Sequence, residues 1–169
     1  GALDASFSED GRLTTTFSIG YDVAQAVAIQ ADGRLVVAGF TAAGDGQFAV
    51  ARYHRDGSLD AAFGGDGKVT TDFSSLDHAN DVDVQADGAI VAVGFTASGD
   101  GDFALARYLA DGTPDAAFGG DGTITTDFSA REDHGSGLAI QDDGRYVVAG
   151  TTRDPEGRCN IAVARYLGI

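Results

Sequence analysis

Methionine and tryptophan are absent from the 169 residues, cysteine and lysine occur once each, and proline occurs twice. The single thiol, Cys159, excludes an intrachain disulfide and any multi-cysteine metal site, and leaves the redox compartment open. Basic side chains are few, 11 against 26 acidic ones, and the net charge of −15 disfavours nucleic-acid and anionic-lipid partners. No apolar run approaches the ~18 residues a membrane-spanning helix needs, so no membrane insertion is expected. Glutamate is scarce as well. The acids divide into 23 Asp and 3 Glu beside 25 Gly, a composition suited to turns and poor for helices, so an all-β protein is expected. A hydrophobic content of 43% is too high for a disordered acidic tail. The chain opens Gly1-Ala2-Leu3 with no methionine and no signal peptide, and reads as a processed chain or as a piece of a longer one.

What is present is a repeat. Leu3-Asp4-Ala5-Ser6-Phe7 returns as Leu59-Asp60-Ala61-Ala62-Phe63 and as Pro114-Asp115-Ala116-Ala117-Phe118. Gln30-Ala31-Asp32-Gly33 returns at 85–88 and 141–144, and Ala51-Arg52-Tyr53 at 106–108 and 164–166. The period is about 55 residues, and three copies fill the chain. In the second copy, Lys68–Phe73, Asn80–Gln85, Ala89–Thr96 and Phe103–Tyr108 read as four short strands. The middle two are joined by an Ala-Asp-Gly hairpin turn. Along the fourth strand of the first copy, Phe48, Val50 and Arg52 point one way and Ala49 and Ala51 the other. A sheet with a bulky face and a small face can stack on copies of itself, as propeller blades do.

The unit DG-x-LD-x-x-F-GG-x-G, then Q-x-DG, then A-x-AR-Y resembles the delta-60 repeat, a β-propeller blade family of bacterial, often secreted or surface-attached proteins. The resemblance spans about residues 3–167. It implies four-stranded antiparallel blades, placed at about 3–56, 57–111 and 112–169, and an extracellular or cell-surface setting. It implies no activity and no catalytic residues.

Joining the C-terminal Ala-Arg-Tyr-Leu-Gly-Ile to the N-terminal Gly-Ala-Leu-Asp-Ala-Ser-Phe regenerates the junction found between copies. Arg52 and Arg107 each precede an aspartate, Asp60 and Asp115, by eight residues. The matching partner of Arg165 is Asp4. Three blades are too few to close a ring, for which about four to eight are usual. Two chains are therefore expected to meet head to tail in a two-fold, six-bladed homodimer. A β-trefoil, which also has three four-stranded repeats, would instead close as a monomer.

Several residues are candidates for a site. Arg52, Arg107 and Arg165 could form a ring of anion-binding guanidinium groups. The preferred reading pairs them with Asp60, Asp115 and Asp4 as structural inter-blade pairs, since an isolated buried charge is costly. Gln30, Gln85 and Gln141 precede the hairpin turns, where Asp32, Asp87 and Asp143 are expected to bond their own backbone amides. Asp45 and Asp100, in Gly-Asp-Gly turns, and the Gly-Gly-Asp-Gly strings at 64–67 and 119–122 raise calcium. No EF-hand order is present, and the strings recur once per blade, not every nine residues. If the Thr-Thr-Asp strand lines the axis, Thr16, Asp72 and Asp127 face a channel that holds a cation or water. His54, His78 and His134 read as solvated, and Cys159 lacks a paired base. The copies depart from uniformity only at 130–133 and 153–160.

Three functions follow. The preferred one is a non-enzymatic structural or interaction module with a protein or glycan ligand and no cofactor. The others are a metal-assisted hydrolase or lyase built from Asp72, Asp127 and His134 in the channel, and a lectin-like propeller, although the loops lack aromatic platforms.

Overall fold

The computed structural model describes residues 1–129 and 131–169, so the first residue of the irregular 130–133 stretch lies outside the described residues. Among the described residues eleven strands form three separate antiparallel sheets. The first contains β1 (Asp22–Ile29), β2 (Leu35–Thr41), β3 (Gln47–Tyr53) and β4 (Lys68–Thr71) in that order. The second repeats it with β5 (Asp77–Val84), β6 (Ile90–Thr96), β7 (Asp102–Tyr108) and β8 (Thr123–Thr126). The third has β9 (Asp133–Ile140), β10 (Tyr146–Arg153) and β11 (Cys159–Tyr166), and β11 has no fourth strand beside it among the described residues. Three independent sheets are the arrangement of propeller blades and not of a trefoil, whose strands close a single barrel.

Local chemistry sets these strands. β2, β3, β6 and β7 are runs of Val, Phe, Ala and Leu, suited to burial on both faces of a sheet. Each first hairpin is closed where Gly33, Gly88 or Gly144 takes a positive φ of 80 to 87° and donates its amide to the Gln carbonyl three residues earlier. The aspartate in the same turn, Asp32, Asp87 or Asp143, accepts the amide two residues on at 3.0 to 3.2 Å. Most of the acidic excess is used in this way, within turns.

The sheets fan out from β1, β5 and β9. β5 packs against β1, and β9 against β5, whereas the extensive neighbours of β4 and β8 are β3 and β7 in their own sheets. This corrects two expectations. The Thr-Thr-Asp run that begins each sequence copy ends the preceding sheet, because the tight loop 54–67 returns the chain antiparallel onto β3. That run therefore lies at the outer edge, so Asp72 and Asp127, which follow β4 and β8, do not ring an axial channel.

Each inner strand carries a β-bulge at Gln25, Asn80 or Ser136. Opposite the bulge sits Gly39, Gly94 or Gly150, where an added Cβ would overlap the carbonyl oxygen of Val23, His78 or His134. The repeated glycine at this position answers a steric demand of the bulge. Bulge polar groups also tie blades together: Asn80 Nδ2 donates to Gly135 O at 2.7 Å, and Leu138 N donates to Asp81 Oδ2 at 2.8 Å.

The core is the space between sheets. Val36, Ala38, Phe48, Val50 and Phe63 of the first pack on Ala79, Ile90, Ala92, Ala104 and Ala106 of the second. Val91, Val93, Phe103 and Leu105, on the second sheet's other face, pack on Tyr146, Val148 and Ala162 of the third. The faces bearing Val36, Phe48 and Val50, or Val91, Phe103 and Leu105, are the bulky faces; the faces that accept them, bearing Ala92, Ala104 and Ala106, or Val148 and Ala162, are the receiving faces. Phe103 is fully buried between the second and third sheets. Phe103→Ala is expected to cost about 3–5 kcal/mol of unfolding free energy in denaturant titration. Gly94→Ala is expected to destabilise through backbone overlap, with no loss of apolar contact.

Candidate functional site

The repeated arginines lie at the junctions between sheets. Arg52 donates from Nε to Asp60 Oδ2 at 2.8 Å, with both side chains nearly sequestered, and a second nitrogen donates to the carbonyl of Ala110 in the next blade's loop. Its guanidinium lies over Phe63, 4.9 Å from the ring centroid. Arg107 pairs with Asp115, and its Nε donates to Gln85 Oε1 at 2.9 Å. The same Gln85 oxygen accepts the Tyr146 hydroxyl of the following sheet at 2.9 Å. These guanidinium groups are occupied by protein partners. Burial pushes the Asp60 carboxyl up, but the Ala62 amide and the Arg52 guanidinium outweigh it and hold the group below the usual carboxylate range. Arg165 and Asp4 are both exposed.

Aspartate also opens every inner strand. Asp22, Asp77 and Asp133 sit opposite Thr41, Thr96 and Thr152, and accept the amides of Phe17, Phe73 and Phe128 at 2.9, 2.7 and 2.6 Å. This fixes the connection that enters each blade. In one place the repeat brings further carboxylates to this group: Asp102, Asp127 and Asp133 each offer an oxygen within 4.8 Å of the others. Burial, then the neighbouring Asp127, Asp133 and Asp100, push the Asp102 carboxyl above its ordinary range. At the equivalent site in the first blade Gln47 stands in place of Asp102, which leaves Asp72 and Asp77. Among the earlier metal candidates, Asp127 joins this trio. Asp100 lies near it in the β6–β7 turn, whereas Asp45 and Asp72 belong to the first blade and Asp72 caps its own turn by accepting the Ser74 amide. Asp72, Asp127 and His134 are not brought together as a site.

His78 and His134 occupy a setting that sequence reasoning missed. His78 stacks on Phe40 of the preceding sheet, with centroids 3.7 Å apart and planes 4° from parallel. His134 stacks on Phe95 at 4.2 Å in the same way, and His78 and Phe95 are cross-strand neighbours 5.0 Å apart. Tyr21 meets the edge of Phe40. Five rings thus run as a row across the three blades. The recurrence of Phe40 and Phe95, with histidine twice at one position of the inner strand, was the available signal. Burial, aided by His134, depresses the His78 pKa, so the neutral ring is favoured in the stack.

The two outer sheet faces complete the picture. The first sheet's receiving face, with Leu35, Val37, Gly39, Ala49, Ala51 and Tyr53, lines a groove of about 490 Å³. On the third sheet the bulky face shows Ile161 87% and Val163 56% exposed. Cys159 begins β11, exposed and unpaired.

Two segments, 30–63 and 85–118, match the family described as a domain of unknown function (DUF5122) beta-propeller. Each runs from the glutamine of the hairpin turn to the junction phenylalanine, so the match covers the second and third strands of a blade and supports a β-propeller repeat. No curated protein matches the chain.

Removing one partner of a buried ion pair strands the other, and Asp60→Ala is expected to lower stability by about 3–5 kcal/mol in denaturant titration. Within a single chain Asp4 accepts from Ser6 and has no arginine partner among the described residues, so Asp4→Ala, measured in the same way at a concentration where light scattering shows a monomer, is expected to be near neutral. The pH dependence has a definite sign. A histidine whose folded pKa is depressed contributes stability that is present above the unfolded value of about 6.5 and declines as the pH falls below it. Wild type is therefore expected to lose stability relative to His78→Phe between pH 7 and 5. A difference independent of pH contradicts the buried neutral ring. The Asp60 contribution has the opposite identity but the same direction, and is lost only below about pH 4.

Proposed function

We propose that this chain is a non-enzymatic β-propeller interaction module of the delta-60 type whose immediate partner is a second copy of itself. One observation carries the reading: the bulky face of the third sheet is exposed at Ile161 and Val163, while the receiving face of the first sheet, partly covered by residues 7–17, keeps an open groove, and the chain joins this same pair of faces twice internally. Val147, Ala149, Ile161 and Val163 of the third sheet correspond to Val91, Val93, Phe103 and Leu105 of the second and to Val36, Ala38, Phe48 and Val50 of the first. The groove on the first sheet corresponds to the receiving surface that accepts those groups inside the chain. An exposed apolar face such as that of Ile161 and Val163 marks an association site.

Two chains arranged head to tail about a two-fold axis satisfy both faces of both copies at once and give six blades. A non-enzymatic role is supported by the state of the chemically capable groups. Arg52 and Arg107 are held by aspartate, glutamine and carbonyl partners, the turn aspartates bond their own amides, and the two inner-strand histidines are stacked on phenylalanine rings. A protein or glycan ligand would then bind on a ring face or its loops. The delta-60 resemblance supports a bacterial secreted or surface setting for such a module.

Light scattering is expected to give twice the 17.2 kDa chain mass for wild type. Ile161→Asp, which places a charge on the bulky face outside the internal core, is expected to give a folded monomer. An unchanged mass for that variant sinks the face-to-face reading.

A further inference from the structure

We infer that the two copies exchange a strand: residues 12–16 of each chain become the fourth strand of the third sheet in the other. This rests on the head-to-tail association proposed above and specifies how it is closed. The first observation is a strand without a sheet. Arg12-Leu13-Thr14-Thr15-Thr16 occupies the same place in the repeat as β4 and β8, yet among the described residues it pairs with no strand. The second is a sheet without that strand, since no strand of the described residues pairs with the edge of β11.

The third observation is that residues 4–16 already hold the position and shape the exchange requires. The Tyr108 hydroxyl bonds Thr71 of the preceding sheet's fourth strand at 2.6 Å, and Tyr166 bonds Thr126 at 2.9 Å. Tyr53 makes the same bond to Thr15 at 2.7 Å, although the described residues hold no sheet before the first. The loop before it matches the internal junctions bond for bond. Phe7 N donates to Asp4 O, and Gly11 N to Phe7 O, as Phe63 does to Asp60 and Gly67 to Phe63. Ser8 N donates to Asp56 O at 2.8 Å, as Gly64 N does to Asp111 O at 2.9 Å. Ser8 and Glu9 keep this shape at φ of 51° and 67°, where the other copies have Gly-Gly. Two non-glycine residues in the left-handed region mark a loop held in place by its surroundings.

The register follows from the internal copies. Leu105 faces Ile124 and Ala104 faces Thr125, so Val163 should face Leu13 and Ala162 should face Thr14. Arg107 N donates to Gly122 O and Asp115 N to Arg107 O. The exchanged junction should repeat this with Arg165 N to Gly11 O and Asp4 N to Arg165 O. The same step brings the Asp4 carboxylate onto the Arg165 guanidinium, completing a third pair like Arg52–Asp60. Main-chain pairing fixes affinity in such strand additions, and the side-chain pair fixes register.

The Arg107–Gly122 bond sets the alternation, so Thr14 opposite Ala162 and Arg12 opposite Ala164 are non-hydrogen-bonded pairs. Their Cα separation of about 4.5 Å falls within disulfide range. In a Cys159→Ser background, Thr14→Cys with Ala162→Cys, and separately Arg12→Cys with Ala164→Cys, are oxidised and read on non-reducing gels, with Thr16→Cys with Ala164→Cys as the off-register control. Covalent dimers from either in-register pair and none from the control are expected. A dimer by light scattering that fails to cross-link overturns the exchange and leaves the face-to-face association standing. An intrachain cross-link in a monomer overturns the exchange, because residues 12–16 then return to their own β11. A monomer with no cross-link removes the association as well.

Discussion

A four-stranded sheet that is apolar on both faces cannot be satisfied by one layer, and everything else in this molecule follows from that constraint. The bulky face of each sheet, built on Val, Leu and Phe, needs a receiving face, and the alanines of β7 provide one for the first sheet. The inner strands are brought together so that the sheets fan, and the bulge on each inner strand relaxes the crowding there, with glycine opposite because nothing larger fits. The Arg–Asp pairs and the ring stack then fix the angle between neighbouring blades with directional contacts that the apolar faces alone would not specify. The same demand stands at the exposed bulky face of the third sheet, and the proposed partner copy would answer it with the interior chemistry of the fold.

Acidity plays a lesser part than the net charge suggests. Asp32, Asp56, Asp87, Asp111 and Asp121 each accept a backbone amide two residues on, and Asp22, Asp77 and Asp133 each tie down a blade entry. These are acceptor roles that a short carboxylate performs and glutamate does not, which explains the excess of one acid over the other. Where the pattern adds carboxylates beyond those roles, at Asp102 and Asp127, they crowd one another and raise the Asp102 carboxyl. That crowding belongs to one blade only and follows from Asp102 standing where the first blade has Gln47.

The period, the strand runs and the turn chemistry were legible in the sequence because they are local: an Asp-Gly turn and a two-residue alternation leave marks within ten residues. The eight-residue spacing of Arg52 to Asp60 placed the two on one junction for the same reason. The position of the Thr-Thr-Asp strand was misread because sequence order within a copy does not say which sheet a strand joins. The tight loop 54–67 decides it, by returning the chain to β3 and not onward. The recurrence of Phe40 and Phe95 and of His78 and His134 marked the positions but not the stack, because its members lie on different strands of different sheets, and only the fan brings the rings parallel. Gln85 bonding both Arg107 and Tyr146 was hidden likewise, since Tyr146 replaces an aliphatic residue at that position in the other copies.

The central claim is that the edge of β11 and the strand-like segment 12–16, both unpaired in a single chain, are covered in solution. Amide hydrogen exchange read peptide by peptide addresses it directly. Exchange through 12–16 and 161–165 as slow as that through β8 and β7 is predicted, because the open-edge amides are then bonded across chains. Rapid exchange there, alongside a protected β7, contradicts the account.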